Sequence, residues 1–370
     1  MPKIILDDPD QTLEMRRDSV ATLAERVDGA EVFRARRAKD GELNRDLWSE
    51  MAAAGWLGIL LPESMGGSEL GPGELAVLAE AFGRALITEP FAALAVLPGR
   101  LLANIGGEAA GGIAGGIADG SRIVPLLWQN TRGARTLMTL SFDGTLSGQV
   151  DLVTAAYAAT DYLVLCEQDG EMALVHLPAG CEGISLSSRP GLDAAQIGQV
   201  TAKTVSVDAG SILARGATLD AALSDAVEIT RFAMAAELAG VGAKALEETV
   251  TYTKERVQFG KPIASFQVIQ HRLVDMWGDA EFACAAVTNA VEMMCDATPE
   301  EAGRSVLAAK ARAGDSAVTI TRRAIHLHGA MGFTDECNIG LYNKRAITLN
   351  AALGQAEELR LDFLARETAA

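Results

Sequence analysis

The chain has 370 residues, with 32 Lys and Arg against 49 Asp and Glu, so its formal net charge is −17. Nucleic acids and anionic membrane surfaces bind clustered Lys and Arg, and a chain this acidic therefore makes both unexpected partners. No stretch reaches the roughly 20 apolar residues of a membrane-spanning helix, so no membrane insertion is expected. Residues 1–8 lack the apolar core of a signal peptide, and the sequence predicts a soluble, cytoplasmic protein.

The N-terminal region, residues 1–118, has a helical pattern. Leu47, Trp48 and Met51 form an apolar stripe at helical spacing, and a further helix is expected from about Gly73 to Pro90. The Gly-rich run at residues 106–120 is expected to consist of turns without any long element, because glycine favours turns over helices. We place the first domain boundary there.

Residues 119–217 have a different character and predict an all-β domain, a barrel or a sandwich. Short apolar runs are separated by turn signals such as Asp143-Gly144 and Asp169-Gly170, which are typical of hairpins. Five strands are predicted, at residues 124–127, 137–142, 163–166, 172–177 and 200–207.

The helical pattern returns in residues 218–370 and predicts a C-terminal four-helix bundle. Two long helices are expected, at about residues 220–256 and 266–295. Thr298 with Glu301 predicts a capping-box start for a third helix that runs to about His328. A fourth is expected from about Asn338 to the C-terminus. The predicted fold class is therefore α+β and multidomain, with a helical domain, a β domain and a helical bundle in chain order.

Two segments concentrate groups that suit ligand binding. In the first, Arg256 offers a planar fork that suits pyrophosphate, Gly260 allows close backbone approach, and Gln267 can donate and accept hydrogen bonds. By itself this segment equally fits a basic last helical turn that ends at a glycine. The second segment, residues 326–334, by itself fits a helix end with a glycine turn. Its histidines at 326 and 328 lie about 200° apart on a helix, which argues against joint metal binding.

Together these segments resemble the acyl-CoA dehydrogenase family. The family signature of Arg, a variable residue, Gln-Phe-Gly and a nearby Gln is matched at residues 256–267, and its His-Gly-Gly-x-Gly-Phe/Tyr-Thr turn at residues 328–334. Residues 55–58 (Gly-Trp-Leu-Gly), 62–63 (Pro-Glu) and 66–67 (Gly-Gly) look like the family's first domain. The resemblance covers nearly the whole chain.

The resemblance implies a dimer or tetramer that binds FAD across a subunit interface. Arg256 is then expected to reach the pyrophosphate of the neighbouring subunit's FAD. The other residues expected at the cofactor are Gln258, Phe259, Gln267, Gly329, Ala330, Gly332 and Thr154. The family reaction removes the α-proton of an acyl-CoA thioester with a carboxylate, while the β-hydrogen leaves as hydride to the flavin, and a separate electron-transfer acceptor reoxidises it.

The chain departs from the family at both known positions of the catalytic base. Near the C-terminus, Ala352 stands where the commonest base is a Glu, and at the alternative position Thr230 precedes Arg231, which the resemblance assigns to the substrate. Glu228 is the nearest remaining carboxylate. It lies three residues before Arg231, and pairing with that arginine would lower its pKa and weaken it as a base. A surface or CoA-facing role for Glu228 stays the alternative.

The β domain also departs from the family pattern. A Trp-x-Thr that packs on the flavin in many members reads Leu152-Val153-Thr154 here, so Thr154 keeps the hydroxyl and the aromatic wall is lost. Trp128 is a candidate to replace part of that wall. Two functions remain open, an acyl-CoA dehydrogenase with its base at another position, or a non-catalytic subunit that completes the FAD and acyl-CoA site of a base-bearing paralogue.

Overall fold

A computed structural model of the protein describes residues 1–39 and 41–369. The chain divides into two compact units. The bundle unit comprises Met1–Arg34, Pro72–Thr88 and the chain from Arg231 onward, and the sheet unit comprises Ala35–Gly71 and Glu89–Thr230. The boundaries of the three domains expected from the sequence stay a prediction.

The N-terminal region is helical, as predicted. Its helices are α1 (Thr12–Arg26), α2 (Gly29–Ala38), α3 (Arg45–Ala53), α4 (Pro72–Ala85), α5 (Leu97–Ile105) and α6 (Glu108–Ala118). The expectation of turns in the Gly-rich run is wrong, because α6 occupies most of it. Ala110, Ile113, Ala114 and Ile117 recur at helical spacing and are buried. Burial of this face outweighs the roughly 1 kcal/mol that each interior glycine costs.

The middle of the chain forms one mixed eight-stranded sheet. Its strands are β1 (Leu126–Leu127), β2 (Met138–Leu140), β3 (Thr145–Thr154), β4 (Asp161–Gln168), β5 (Glu171–Pro178), β6 (Ile184–Pro190), β7 (Gln196–Ser206) and β8 (Ile212–Arg215). The order is β6-β7-β3-β2-β4-β5-β8, and β1 pairs with β4. Both β1 and β2 run parallel to β4, whereas the other pairings are antiparallel.

Each of the five predicted strands overlaps an observed one, but β3, β6 and β8 were not expected. β3 pairs with β7 through two register shifts, so its apolar residues do not alternate regularly. Most residues of β6 are exposed and polar, which hides it from a hydrophobic pattern. The apolar core of the sheet includes Leu146, Val164 and Val200.

The C-terminal region is helical, as predicted. It contains α7 (Gly216–Glu255), α8 (Gln267–Asp296), α9 (Pro299–His328), α10 (Ile339–Ala351) and α11 (Ala356–Ala369). The capping box of α9 is confirmed, because the Thr298 hydroxyl accepts from the Glu301 N–H at 3.4 Å and the Glu301 carboxylate accepts from the Thr298 N–H at 3.0 Å.

A single fourth helix to the C-terminus is the wrong expectation. The helix ends at Ala351 because the backbone turns at Leu353 and Gly354, with φ of 56° and 109°, before α11 begins. No helix in the described part of the chain is long and apolar enough to cross a bilayer. The order of helical, sheet and helical regions follows the predicted fold class.

Candidate functional site

The connection from α7 to α8 begins with a tight β-hairpin. Its strands are β9 (Val257–Gln258) and β10 (Lys261–Pro262), and its two turn residues, Phe259 and Gly260, have φ of 54° and 78°. Consecutive positive φ values suit glycine but strain an aromatic residue. Phe259 is nevertheless 92% exposed at this tip, edge-on to Phe266 with ring centroids 6.1 Å apart. A strained, exposed aromatic ring indicates a binding role rather than a packing role.

Arg256 stands between α7 and this hairpin. Its N–H donates to the Tyr252 carbonyl and its carbonyl accepts from the Ile263 N–H, both at 2.8 Å, so its backbone is held on two sides. The side chain is exposed, and among the described residues no carboxylate lies within ion-pair distance of its guanidinium. The side chains of Gln258 and Gln267 are also exposed. The guanidinium is therefore available to an anion from outside the chain.

The second predicted segment is a tight turn that follows α9. The helix ends at His328, and residues Gly329–Phe333 form a 3₁₀ turn that begins with Gly329 at φ 62°. A side chain on the buried Gly332 would collide with the Ile325 carbonyl oxygen, at 2.6 Å from an added Cβ. Gly329 and Ala330 are exposed, and nothing lies within 4 Å of an added Cβ at Gly329. The turn thus presents bare backbone to the outside.

A contact between α7 and α9 brings the two segments to the same end of the bundle unit. The ring of Tyr252, one helical turn before Arg256, stacks on the His328 ring with centroids 4.2 Å apart. The Tyr252 hydroxyl donates to the His328 carbonyl at 3.2 Å. Burial lowers the pKa of His328, so the stack holds a neutral imidazole near pH 7. We name this end, the hairpin with Arg256 and the turn Gly329–Phe333, the exposed end.

Neither position at which the family resemblance predicts the base holds a carboxylate. Thr230 is fully buried, and its hydroxyl donates to the Ala226 carbonyl at 2.6 Å within α7. Ala352 lies half-buried just after α10. The side chain of Arg231 donates from Nε to the Leu353 carbonyl at 2.8 Å, which brings it beside the Ala352 segment.

Glu228 is half-buried on the same helix as Thr230 and Arg231. One turn of α7 separates it from Arg231, as the sequence requires. The structure therefore keeps Glu228 as the nearest carboxylate along the chain to Arg231, and its role stays a prediction.

In the sheet unit, the residues expected at the flavin lie at the end of β3. Thr154 is half-buried and pairs with Ile197 of β7. An antiparallel bridge joins Gln129 to Asp151, and the half-buried Trp128 and Leu152 are their neighbours in the chain. Leu152 itself has φ 57°, a strained value for a branched residue. The arrangement agrees with Trp128 as a replacement for the missing aromatic wall, which stays a prediction.

One residue of interest was not predicted from the sequence. Lys310 of α9 is fully buried, and its ammonium donates to the Leu349 carbonyl at 2.8 Å and to the Asn350 carbonyl at 3.4 Å. Val306, Lys310, Ala313 and Ala317 recur at helical spacing and are all buried. A lysine on an otherwise apolar stripe was the signal that could have identified it.

Family models match both helical regions of the chain. Residues 10–109 match the N-terminal domain of acyl-CoA dehydrogenases and residues 220–368 match their C-terminal domain. Acyl-CoA dehydrogenase IpdE2 of Mycolicibacterium smegmatis is 30% identical over 350 residues, which are 93% of this chain and 95% of that protein.

Solved structures of the same family share the fold. A variant of the Tcur3481–Tcur3483 steroid ACAD is 28% identical with a TM-score of 0.84, over 97% of this chain and 100% of that one. The ChsE4–ChsE5 complex of Mycobacterium tuberculosis is 24% identical with a TM-score of 0.88, over 98% and 99%. The matched domains, the similarity to IpdE2 along nearly the whole chain, and the conserved order of helical, sheet and helical regions show that this protein belongs to the acyl-CoA dehydrogenase family.

Proposed function

We propose that this protein takes part in FAD-dependent α,β-dehydrogenation of an acyl-CoA thioester, as a subunit of a dimer or tetramer with FAD at a subunit interface. The exposed end carries this proposal. It combines the guanidinium of Arg256, the exposed ring of Phe259 and the exposed backbone at Gly329. Nothing in the described part of the bundle unit covers these groups. Such a set suits the pyrophosphate and adenosine of a dinucleotide held by a second subunit.

The residues present fit FAD. Arg256 would hold the pyrophosphate, and Gln258, Phe259 and Gln267 would pack against the same cofactor. Gly329 and Ala330 would let its phosphate and adenosine approach the backbone closely, because an added Cβ at Gly329 meets open space. When bound, FAD supplies an electron sink that accepts the β-hydrogen of the substrate as hydride. Thr154 in the sheet unit would donate its hydroxyl to the flavin.

The chain has a good candidate for orienting the substrate but a weaker candidate for the base that removes its α-proton. Arg231 lies beside the segment that carries Ala352, and its guanidinium can bind the substrate's CoA portion while Nε stays on the Leu353 carbonyl. Removal of an α-proton near neutral pH requires a positioned base. Glu228, one turn of α7 before Arg231, is the candidate in this chain.

A second function is favoured because neither predicted base position, Thr230 or Ala352, holds a carboxylate. With Thr230 buried and hydrogen-bonded, and with Ala352 after α10, the chain fits a partner subunit that completes the FAD and acyl-CoA site of a base-bearing paralogue. Two of the similar solved structures are themselves named as pairs, ChsE4–ChsE5 and Tcur3481–Tcur3483. In this arrangement Arg256 and the exposed end serve the partner's cofactor.

Reconstitution separates the two functions. The purified chain is supplied with FAD, an artificial electron acceptor and an acyl-CoA, first alone and then with a paralogue that has Glu at either family position. We expect slow or undetectable turnover alone, because a general base contributes a factor of about 10² to 10⁴. Brisk turnover by the chain alone would refute the partner-subunit function, and Glu228→Gln would then test Glu228 as the base.

Assembly provides an independent test. Several large apolar side chains of the bundle unit are exposed in the single chain, namely Phe259, Val268, Val274, Trp277, Phe282, Met331 and Phe333. Where exposed apolar side chains form one patch, that patch marks a protein interface more often than a solvated surface. We expect light scattering to show a dimer or tetramer, and a strictly monomeric chain with bound FAD would contradict the proposal.

A further inference from the structure

The C-terminal end of α10 is held by two cations that come from two other helices. The ammonium of Lys310, on α9, donates to the carbonyls of Leu349 and Asn350. The guanidinium of Arg231, on α7, donates to the carbonyl of Leu353 at 2.8 Å. We name residues 349–354 the α10 end segment. Three of its six carbonyls therefore bind side-chain cations.

The segment needs such donors because of its conformation. The last carbonyls of a helix have no intrahelical donor and form the negative end of the helix dipole. Leu353 and Gly354, with φ of 56° and 109°, then reverse the chain into α11. A non-glycine residue with positive φ persists only where its surroundings hold it. Lys310 and Arg231 are the side chains that supply this restraint.

Lys310 is an unusual choice for a purely structural position. It is fully buried, and burial together with the nearby charge of Arg231 lowers its pKa to about 7. The carboxylates on the neighbouring helices have other partners, since Asp279 of α8 binds Arg312 and Arg323, and Asp315 of α9 binds Arg360 of α11. A buried cation without a carboxylate is costly, and an apolar residue of the same length would pack there more cheaply.

We propose that Lys310 is a positioning residue, which fixes the α10 end segment, and with it Ala352, through N–H donors from the core of the bundle. Both forms of the side chain meet this task, because a neutral amine still has two hydrogens for the two carbonyls. Ala352 lies in the middle of the held segment and is half-buried. The consequence for substrate rests on the proposed function, in which this segment and Arg231 face the acyl-CoA.

The test compares two substitutions of Lys310 that are both uncharged but differ in the number of N–H donors. Lys310→Met keeps the length and removes all donors, whereas Lys310→Gln keeps two N–H donors on a shorter chain. Hydrogen–deuterium exchange is followed at the α10 end segment of the full chain, where the Ala352 N–H donates to the Thr348 carbonyl at 3.1 Å. We expect exchange to accelerate at least tenfold in the Met variant and less in the Gln variant, while the melting temperature does not fall in parallel.

Lys244→Met is the matched control, because it removes a lysine of the same unit that pairs with Glu247 and Glu248 within α7. It should leave exchange at the α10 end segment unchanged. Equal protection in the parent and in Lys310→Met would overturn the proposal. So would a loss of protection shared by the whole bundle unit, since that outcome describes a stabilising residue rather than a positioning one.

Binding of octanoyl-CoA, measured by calorimetry beside free coenzyme A, tests the functional part. We expect Lys310→Met to weaken octanoyl-CoA binding several-fold more than free coenzyme A binding, with partial recovery in Lys310→Gln. Unchanged affinity with accelerated exchange would overturn the link to substrate. If the parent binds neither compound, the proposed function fails, while the exchange comparison still decides the role of Lys310.

Discussion

Two regions of the bundle unit both contact α9 and differ in how their polar groups are satisfied. At the exposed end, Arg256 and the backbone of Gly329 and Ala330 face outward. At the α10 end segment, carbonyls bind the buried Lys310 and the half-buried Arg231. Lys310 precedes His328 by roughly 27 Å along α9, at about 1.5 Å per residue. The first region needs a partner from outside the chain. The second is held by side chains of the chain itself, yet lacks the carboxylate that the family resemblance predicts there.

This difference separates two requirements of the proposed reaction. Holding a dinucleotide requires donors that stay available until the cofactor arrives, and the exposed end keeps them. Abstracting a proton requires one carboxylate on a fixed support, and here the support remains while the carboxylate is absent. The chain therefore fits a division of labour between subunits, and the predictions below test each region separately.

The largest effect is expected from Ala352→Glu. Ala352 is half-buried on a held segment, so a carboxylate there would keep part of its hydration while its backbone stays fixed. A positioned base contributes a factor of about 10² to 10⁴, and we expect turnover of an acyl-CoA by the FAD-loaded chain to rise by that order. Ala352→Gln, which has the same shape without the base, is the control. Equal rates for the two variants, with flavin retained in both, would show that residue 352 does not face the substrate.

Thr230→Glu, at the other family position, should restore less. Thr230 is fully buried with its hydroxyl on the Ala226 carbonyl, so a glutamate must be accommodated in a packed helix contact. A buried carboxylate without a partner typically costs 3 kcal/mol or more, on the order of a severe core substitution. We expect a lower urea midpoint than for Ala352→Glu. A Thr230→Glu protein that is both as stable as the parent and faster than Ala352→Glu would contradict this ranking.

Arg256→Ala tests the exposed end. A charge-assisted hydrogen bond to pyrophosphate contributes roughly 1.5 to 3 kcal/mol, so we expect FAD retention to weaken by about tenfold to a hundredfold. Retention is measured as flavin absorbance after gel filtration at a series of FAD concentrations. Lys254→Ala removes an exposed cation two residues earlier and should have little effect. A folded Arg256→Ala protein that keeps the flavin of the parent would refute the role of Arg256.

Sequence patterns predicted some helices and strands and missed others, for physical reasons. The long helices α7, α8 and α9 were predictable because apolar periodicity and the Thr298 capping box are local signals. The helix α6 was missed because tertiary burial overrides the low propensity of its glycines. The strand β3 was missed because bulges interrupt its alternation.

Within the candidate site, the family motifs located Arg256 and the Gly329 turn, but sequence alone could not show that they share one end of the bundle. That fact depends on the Tyr252–His328 stack, a contact between residues far apart in the chain. Lys310 was missed for a similar reason. Its importance depends on carbonyls of α10, and no local pattern reveals which backbone atoms a buried lysine will meet.

The α10 end segment also makes a prediction about pH. The pKa of Lys310 is about 7 in the folded protein and 10.5 in an ordinary lysine. Between these values the unfolded chain binds a proton that the folded chain does not, so the free energy of unfolding rises with pH by up to about 1.4 kcal/mol per unit. Lys310→Met lacks this group, and its stability relative to the parent should fall as pH increases above 7.

Below pH 7 both states of the parent carry the proton, so the difference between parent and Lys310→Met should be constant there. Urea unfolding at pH 6, 7, 8 and 9 measures it. Arg231 is the charged group that acts on Lys310, and it keeps its charge over this range. Parallel stability curves for the two proteins from pH 6 to 9 would show that Lys310 titrates as an ordinary lysine.

The smallest effect is expected from Thr298→Ala, at the start of α9, the helix that both regions contact. The substitution removes the hydroxyl that accepts the Glu301 N–H, and loss of such a cap costs about 1 kcal/mol. We expect a slightly lower urea midpoint, with FAD retention and exchange at the α10 end segment unchanged, because neither region contacts the cap. If Thr298→Ala instead releases flavin or accelerates exchange at residues 349–354, then FAD retention and exchange both depend on the overall stability of α9. The difference between the exposed end and the α10 end segment would then not arise from the separate contacts of each region.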